Sequence, residues 1–398
     1  MSEQIEPPPA KFDRRSLITV AGAAAVAGWT TVRFPKPGVP LHRPAVAPRS
    51  SVAIVKASSY NAELAQRMLE GVKLCGLVVK GKRVLLKPNL VEWDPSTNIN
   101  TDVAVVSAAL EVFRQLGAAE VRIGEGPGHR RDTYDLAQQA RYRTEVEKFD
   151  GLFVELNRDD VSPVKNFASE PEFYFPNTAL RADLIVSLAK MKTHHWAGAT
   201  LAMKNFFGVV PGSVFGWPKN TLHKIGIDRS IVELSRVFRN TFAIVDGIVG
   251  MEGNGPIQGT SKRAGVMVMG RDLRAVDATC CRIMGIDPAR LEYLAASNGL
   301  GNFFEADIEQ RGEAIAAVRT NFKLIDKFAQ IRMGLERRPP DAGATRRTEP
   351  SWSRDGRLKR PQQPTASRNW FSRLQPIFNK RLLGPEHRAN YNLVHSRE

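Results

Sequence analysis

Hydrophobic and polar positions follow two alternating periods through the middle of this chain. Short apolar runs, SVAIVK (51–56), RVLLK (83–87) and EVRIG (120–124), read as buried strands. Between them lie Ala62–Cys75 and Val103–Leu116, where apolar residues recur at the three-to-four spacing of a helix face. Strand, helix, strand, helix, strand in that order predicts a βαβαβ unit on a parallel sheet with right-handed crossovers. Farther along, the pattern predicts a helix after Asp132, a strand near Leu152–Leu156 and a hairpin around Phe173–Pro176. A strand over Asp183–Leu188, a helix over Asp228–Arg239 and a strand TFAIVDG (241–247) closing on Asp246 follow. A strand AGVMVMG (264–270) and a helix over Arg274–Met284 come next, and Asp287-Pro288 supplies an N-cap and first-turn pair for another helix. The predicted class is α/β: a mainly parallel sheet with helices on both faces, over about residues 51–330, as one body or as two lobes with a crevice between them.

Both ends break the pattern. Arg14-Arg15 precede an Ala/Gly-rich apolar run to Trp29, with Ala25-Val26-Ala27 as a small-residue cleavage site, so residues 1–29 read as a twin-arginine export signal and place the protein in the periplasm or outside the cell. Asp13 stands where such signals usually carry Ser or Thr, and the run is short for a membrane span. Proline-rich residues 30–50 read as a linker. From residue 337 to 398 periodicity gives way to Arg, Pro, Gln and Ser, and the tail is expected to be largely disordered. Trp370, Phe371, Leu374, Ile377 and Phe378 interleave with its arginines, which suits contact with a membrane surface or a protein partner.

Composition then narrows the choices. At 398 residues and 42% hydrophobic the chain can bury a full core. The formal charge of +16 would suit nucleic acid, but much of the excess sits in the tail and no nucleic-acid module is present, so none is expected as a partner. Cys75, Cys280 and Cys281 form no CxxC pair, and no iron–sulfur cluster is expected.

The chemistry concentrates between residues 187 and 223. The predicted strand 183–188 runs straight into Lys190, Lys192, Thr193, His194 and His195, and in open α/β sheets ligands bind beyond the carboxyl ends of strands. Lys87 and Asn89 close the second strand and face the same expected crevice. The glycine-rich turn GEGPGHRR (124–131) closes the third and carries His129 and Arg130; it lacks the GKS or GKT of a P-loop. A long glycine-rich segment after Asp246 carries Glu252 and reads as a functional loop, with Asp246 and Glu252 as candidates for a hard cation.

The segments VLLKPNLV, RADLIVSLAKMKTH, TLAMKNFFGVVPG, IVDGIVGMEGNGPIQG and DLRAVDATCCRIMGIDP resemble the bacterial and archaeal family called domain of unknown function 362, over about residues 51–312. Many relatives carry a ferredoxin-like cysteine cluster that this chain lacks. A fainter resemblance is to nickel-pincer hydroxy-acid racemases. Gly128-His129-Arg130 matches their Gly-x-His-Arg turn, and His194, Gly198 and Lys204 match a histidine, a glycine four on and a lysine ten on, followed by Pro211-Gly212 and a later His223. That resemblance implies proton-exchanging histidines at His129 and His194, a cofactor-holding lysine at Lys204 and a nickel ligand at His223. It departs where the double glycine before the lysine is Ala202-Met203, and where the interval to His223 is longer.

The expected function is an exported enzyme acting on a small anionic substrate, a carboxylate or phosphate, in the manner of a racemase or epimerase. Its cofactor would contain nickel or another divalent metal, with Lys87, Asn89, Lys192, Lys204 and Asn205 around the bound group. The competing expectation is a periplasmic ligand- or metal-binding accessory protein without turnover.

Overall fold

The computed structural model describes residues 48–129, 132–297 and 299–335; the expected export signal, most of the expected linker, Arg130 and the basic tail lie outside them. Among the described residues the strands are β1 (Ser50–Lys56), β2 (Arg83–Lys87), β3 (Glu120–Glu125), β4 (Phe153–Glu155), β5 (Val161–Phe167), β6 (Glu170–Pro176), β7 (Leu184–His194), β8 (Gly198–Thr200), β9 (Thr241–Asn254), β10 (Gln258–Gly270) and β11 (Ile308–Gly312). The longer helices are α1 (Leu64–Leu74), α2 (Val103–Gln115), α3 (Ile227–Val237) and α4 (Leu273–Ile283). None among the described residues is long and apolar enough to cross a membrane.

One nine-stranded sheet runs β11-β1-β10-β9-β7-β2-β3-β4, with β8 paired onto β7, and β5–β6 form a separate hairpin. Pairing is parallel from β4 through β3, β2 and β7 to β9, and again between β1 and β11. It is antiparallel where β10 joins β9 and β1. The α/β class follows from the alternation of periods, because parallel neighbours need helical crossovers. Alternation fixes the direction in which strands run but not their neighbours. β1 points the same way as β2 yet lies beyond β7, β9 and β10, taking its own partners β10 and β11 from the far end of the fold.

Successive residues of a strand face opposite sides, so each central strand feeds two apolar layers. Leu85, Ile185, Ala189, Met191 and Val245 pack with α4 and the β5–β6 hairpin. Val84, Leu86, Val186, Leu188 and Ile244 pack with α1 and α2 on the other side. The Asp102 side chain accepts from the Ala104 N–H at the start of α2, and Asp272 accepts from the Arg274 and Ala275 N–H groups at the start of α4, meeting backbone donors that a helix leaves open.

Two elements differ from expectation. β7 does not stop at Leu188 but continues to His194, with all eleven residues buried. Lysines are rarely found inside a sheet unless paired, which is why they read as the end of the strand; here Lys190 and Lys192 both find buried acceptors, and the ladder continues. The glycine-rich segment after Asp246 is not a loop but the two arms of a hairpin, β9 and β10. Its glycines let β9 lie directly against β7: a Cβ on Gly250 would overlap the Met191 carbonyl, and one on Gly255 the Thr193 carbonyl.

Candidate active site

The crevice is built at the carboxyl end of β7. After His194 the chain turns through His195, Trp196 and Ala197 into β8, then enters a 3₁₀ helix, Lys204–Val209. Asp277 of α4 holds the entry to that helix, accepting from the N–H groups of Ala202 (2.8 Å) and Met203 (3.2 Å) and from the Tyr293 hydroxyl (3.2 Å). Burial raises the Asp277 pKa to about 7 against the pull of those donors.

Beneath the crevice the charges are paired. Lys87 Nζ lies 2.5 Å from Glu125 and also donates to the Pro88 carbonyl (2.9 Å) and Asn205 Oδ1 (3.2 Å). Asn205 returns its amide hydrogens to the Lys87 carbonyl (3.0 Å) and Ser187 Oγ (3.1 Å). Gly208 closes over this pair so tightly that a Cβ there would overlap Glu125 and Lys87. On the other side of the sheet Lys190 donates to Asp246 (2.8 Å) and to Tyr60 Oη (3.0 Å), and Asp246 also accepts from the Ile248 N–H (3.2 Å). Lys192 donates to Asn89 Oδ1 (2.7 Å) and the Ile99 carbonyl (2.8 Å) with no carboxylate partner, and burial together with the positive Lys204 and Lys190 holds its pKa well below the usual lysine value.

These contacts change the roles expected from the sequence. Lys87, Asn89, Lys192 and Asn205 spend their polar atoms on one another, on Glu125 and Ser187 and on the backbone, and form the floor rather than a ligand cradle. Asp246 and Glu252 do not share a cation site: Asp246 is taken by Lys190 and Tyr60, while Glu252 accepts from the Lys323 N–H (2.8 Å) and pairs with Lys262 at 3.8 Å. Glu125 and Lys219 carry no obvious signal in the sequence. Glu125 sits among glycines, and Lys219 follows Trp217-Pro218, yet Lys219 is buried and donates to the Gly126 and Gly208 carbonyls, tying the glycine-rich turn after β3 to the 3₁₀ helix. Burial lowers its pKa to about 7.

Above the floor stand Lys204 and the histidines. Lys204 Nζ sits 4.0 Å from the centre of the Phe207 ring and has no hydrogen-bond acceptor or ion-pair partner among the described residues. Burial brings its pKa down to about 8, opposed by the charge of Asp228. Asp228 is itself raised to about 7, by burial and by the neighbouring Glu292. The positive charge of Lys204 in turn helps lower the pKa values of His129, His194, His195 and His223, each depressed first by burial. Lys204 is thus a positive neighbour common to His129, His194, His195 and His223.

The histidines differ in what they offer. His194 is buried, and its Nδ1 accepts from the N–H groups of Trp196 (3.0 Å) and Ala197 (3.2 Å), so its ring proton sits on Nε2. The Nδ1 of His195 lies 2.8 Å from the Gly255 carbonyl, which can only accept, so that nitrogen carries the proton. His223 stands on a short helical turn, Asn220–Ile225, edge-on to the half-exposed Trp196 (5.2 Å between ring centres); His129 and His223 both keep part of their surface in solvent while protein packs closely enough around them to lower their pKa values.

The cofactor implied by the racemase resemblance can be tested against these residues. Among the described residues no three His, Cys, Asp or Glu side chains cluster to hold a metal ion. Lys204, with a free amine and a pKa of about 8, has the chemistry that covalent attachment needs. The set therefore fits a metal that arrives in an organic ligand frame attached to lysine, and does not fit an ion held by protein side chains alone.

The chain is 28% identical over 301 residues to the thylakoid-associated protein sll1697 of Synechocystis sp., covering 72% of this chain and 91% of that one. Two solved structures are similar at low level. One is the lactate racemase apoprotein from Thermoanaerobacterium thermosaccharolyticum, at 15% identity and a TM-score of 0.34, covering 54% of each chain. The other is a protein from Thermotoga maritima, at 16% identity and a TM-score of 0.34, covering 54% of this chain and 58% of that one. The chain thus spans little more than half the length of either. A family model matches residues 84–282, from β2 through almost all of α4, and the chain belongs to that family, described as a domain of unknown function (DUF362).

Proposed function

We propose that the chain is an exported enzyme that binds a small carboxylate in the crevice around Lys204 and moves a proton at the carbon next to it, as a hydroxy-acid racemase or epimerase does. One observation carries this: Lys204 is a positive group with no hydrogen-bond or ion-pair partner among the described residues, surrounded by histidines, over a floor in which Lys87 and Lys190 each face a carboxylate. An anion is the ligand such a field selects. The Nε2–H of His194 supplies a fixed donor beside it. An organic nickel cofactor attached through the Lys204 amine, with His223 as the histidine available to the metal, would supply an electron-accepting centre beside the substrate carbon; in that form the anion would be held by the Nε2–H of His194 and not by the Lys204 charge, which attachment removes.

Calorimetry with D-lactate, L-lactate and inorganic phosphate tests binding, and chiral chromatography of lactate tests interconversion. The wild-type chain is expected to bind lactate, and Lys204→Ala to weaken that binding at least about tenfold, as loss of one charge-assisted contact should. Equal binding by the variant, or none by wild type, would overturn the assignment. Binding without interconversion, in protein purified from its native host with no added mass on Lys204, would mark an accessory binding protein instead. Export is tested separately: changing Arg14 and Arg15 to lysine should leave the protein in the cytoplasm, and unchanged export would remove the twin-arginine signal. The Synechocystis relative is named for its association with thylakoids, and the basic aromatic tail is the segment we assign to an equivalent membrane contact.

A further inference from the structure

We infer that His195, not His194, is the proton-accepting histidine at the end of β7, and that His194 is a fixed hydrogen-bond donor to the substrate anion. This rests on the crevice being the active site, and it deepens that assignment by naming the base.

Hydrogen-bond direction decides it. A backbone N–H can only donate, so the two N–H groups on His194 Nδ1 occupy its single lone pair and leave the proton on Nε2. For His194 to accept a proton, Nδ1 of a buried ring would have to give up both donors. A backbone carbonyl can only accept, so the Gly255 oxygen fixes the proton of His195 on Nδ1 and leaves the Nε2 lone pair free. No partner is found for that nitrogen among the described residues. When His195 takes a proton on Nε2, its Nδ1–H bond to Gly255 is kept, and the imidazolium is stabilised by the carbonyl it already touches.

The arrangement places an acceptor next to a donor in adjacent residues, with ring centres 5.1 Å apart. In a proton abstraction the C–H bond beside the carboxylate breaks, its proton moves to His195 Nε2, and the electron pair stays on the substrate. The Nε2–H of His194 and the ammonium of Lys204 face the negative charge that builds up, and return of the proton to the same carbon restores neutral His195. Lys204 and Lys327 act on His195 as positive neighbours, while the Gly255 carbonyl favours the protonated ring; Lys327 also donates to the His195 carbonyl (3.3 Å). Burial of the ring comes first among the causes that lower the His195 pKa, so the neutral, accepting form is the resting one near neutral pH.

The tautomers can be read without any substrate. In full-length protein labelled with ¹⁵N-histidine, two-bond proton–nitrogen correlation spectra at pH 7 should show His195 protonated on Nδ1 and bare on Nε2. His194 should show the reverse, each assigned by the signals lost in His195→Asn and His194→Gln. Nε2–H on His195, or a bare Nε2 on His194, overturns the inference whatever the substrate. Asparagine at 195 can keep a donor on Gly255 but has no basic nitrogen, so His195→Asn should retain lactate binding while exchange of the lactate C2 hydrogen with deuterated solvent falls about a hundredfold or more. Exchange at the wild-type rate in His195→Asn would also overturn it. If wild-type protein binds no lactate, the hydroxy-acid assignment fails and the tautomers alone decide this one.

Discussion

Two layers of the same molecule treat positive charge in opposite ways. In the floor, Lys87 faces Glu125 and Lys190 faces Asp246, each ammonium within hydrogen-bonding distance of a carboxylate and out of solvent. In the crevice above, Lys204 has an aromatic ring and no such carboxylate, and the acid that acts on it, Asp228, is raised to about 7 and so is partly protonated near neutrality. Paired buried charges hold the sheet together, and their loss is costly because the survivor cannot be hydrated. Unpaired charge in a crevice contributes little to the fold and is available to a ligand. The comparison separates structural lysines from candidate functional ones better than their residue type or their position in sequence.

The largest expected effect lies in the floor. Glu125→Ala leaves Lys87 buried without its counter-ion and should lower stability by about 3–5 kcal/mol, read as a shift in denaturation midpoint. A loss below about 1 kcal/mol would show that the floor does not depend on pairing.

A smaller effect, on the order of 2–4 kcal/mol, is expected from pH acting on Asp277. The folded carboxyl keeps its proton up to about pH 7, whereas the unfolded one releases it near 3.8. Between these values the folded state binds more protons, so the contribution of Asp277 to stability falls as pH rises through that window. Lys219 has the opposite sign: its pKa of about 7 lies below the ordinary 10.5, the unfolded state binds more protons above neutrality, and its contribution rises from about pH 7 upward. Melting curves from pH 4 to 8 should lose part of their downward slope in Asp277→Asn. An unchanged slope would assign it to other groups, Asp228 first among them.

The smallest stability effect should come from the crevice itself. Lys204→Ala is expected to change the unfolding free energy by less than about 1 kcal/mol while removing ligand binding. A fall as large as that of Glu125→Ala would place Lys204 in the structural layer and erase the contrast.

Much of this was legible in the sequence. The change of period between 51 and 124 marks the α/β class, and the resemblance to hydroxy-acid racemases is what names His129, His194, Lys204 and His223. The pairing was hidden. Nothing local in GEGPG marks Glu125 as the partner of Lys87, because the contact is made across a sheet whose strand order sequence does not state. In the sequence the polar residues read as the end of β7 and the glycines as a loop, since the buried acceptors of Lys190 and Lys192 and the close approach of β9 to β7 are both supplied by distant segments. The difference between His194 and His195 was likewise invisible, for it depends on whether a ring nitrogen meets an N–H or a carbonyl.

The full burial of β7 sets two clocks side by side. With β2 on one flank and β9 on the other, its backbone amides should trade hydrogen for deuterium only when the whole sheet opens, over the longest times the protein shows. Two residues past its end, Trp196 stands half in solvent, where a local opening is enough for exchange. The candidate site lies where the slow clock meets the fast one, so the histidine at the strand's end should keep its position for the lifetime of the fold.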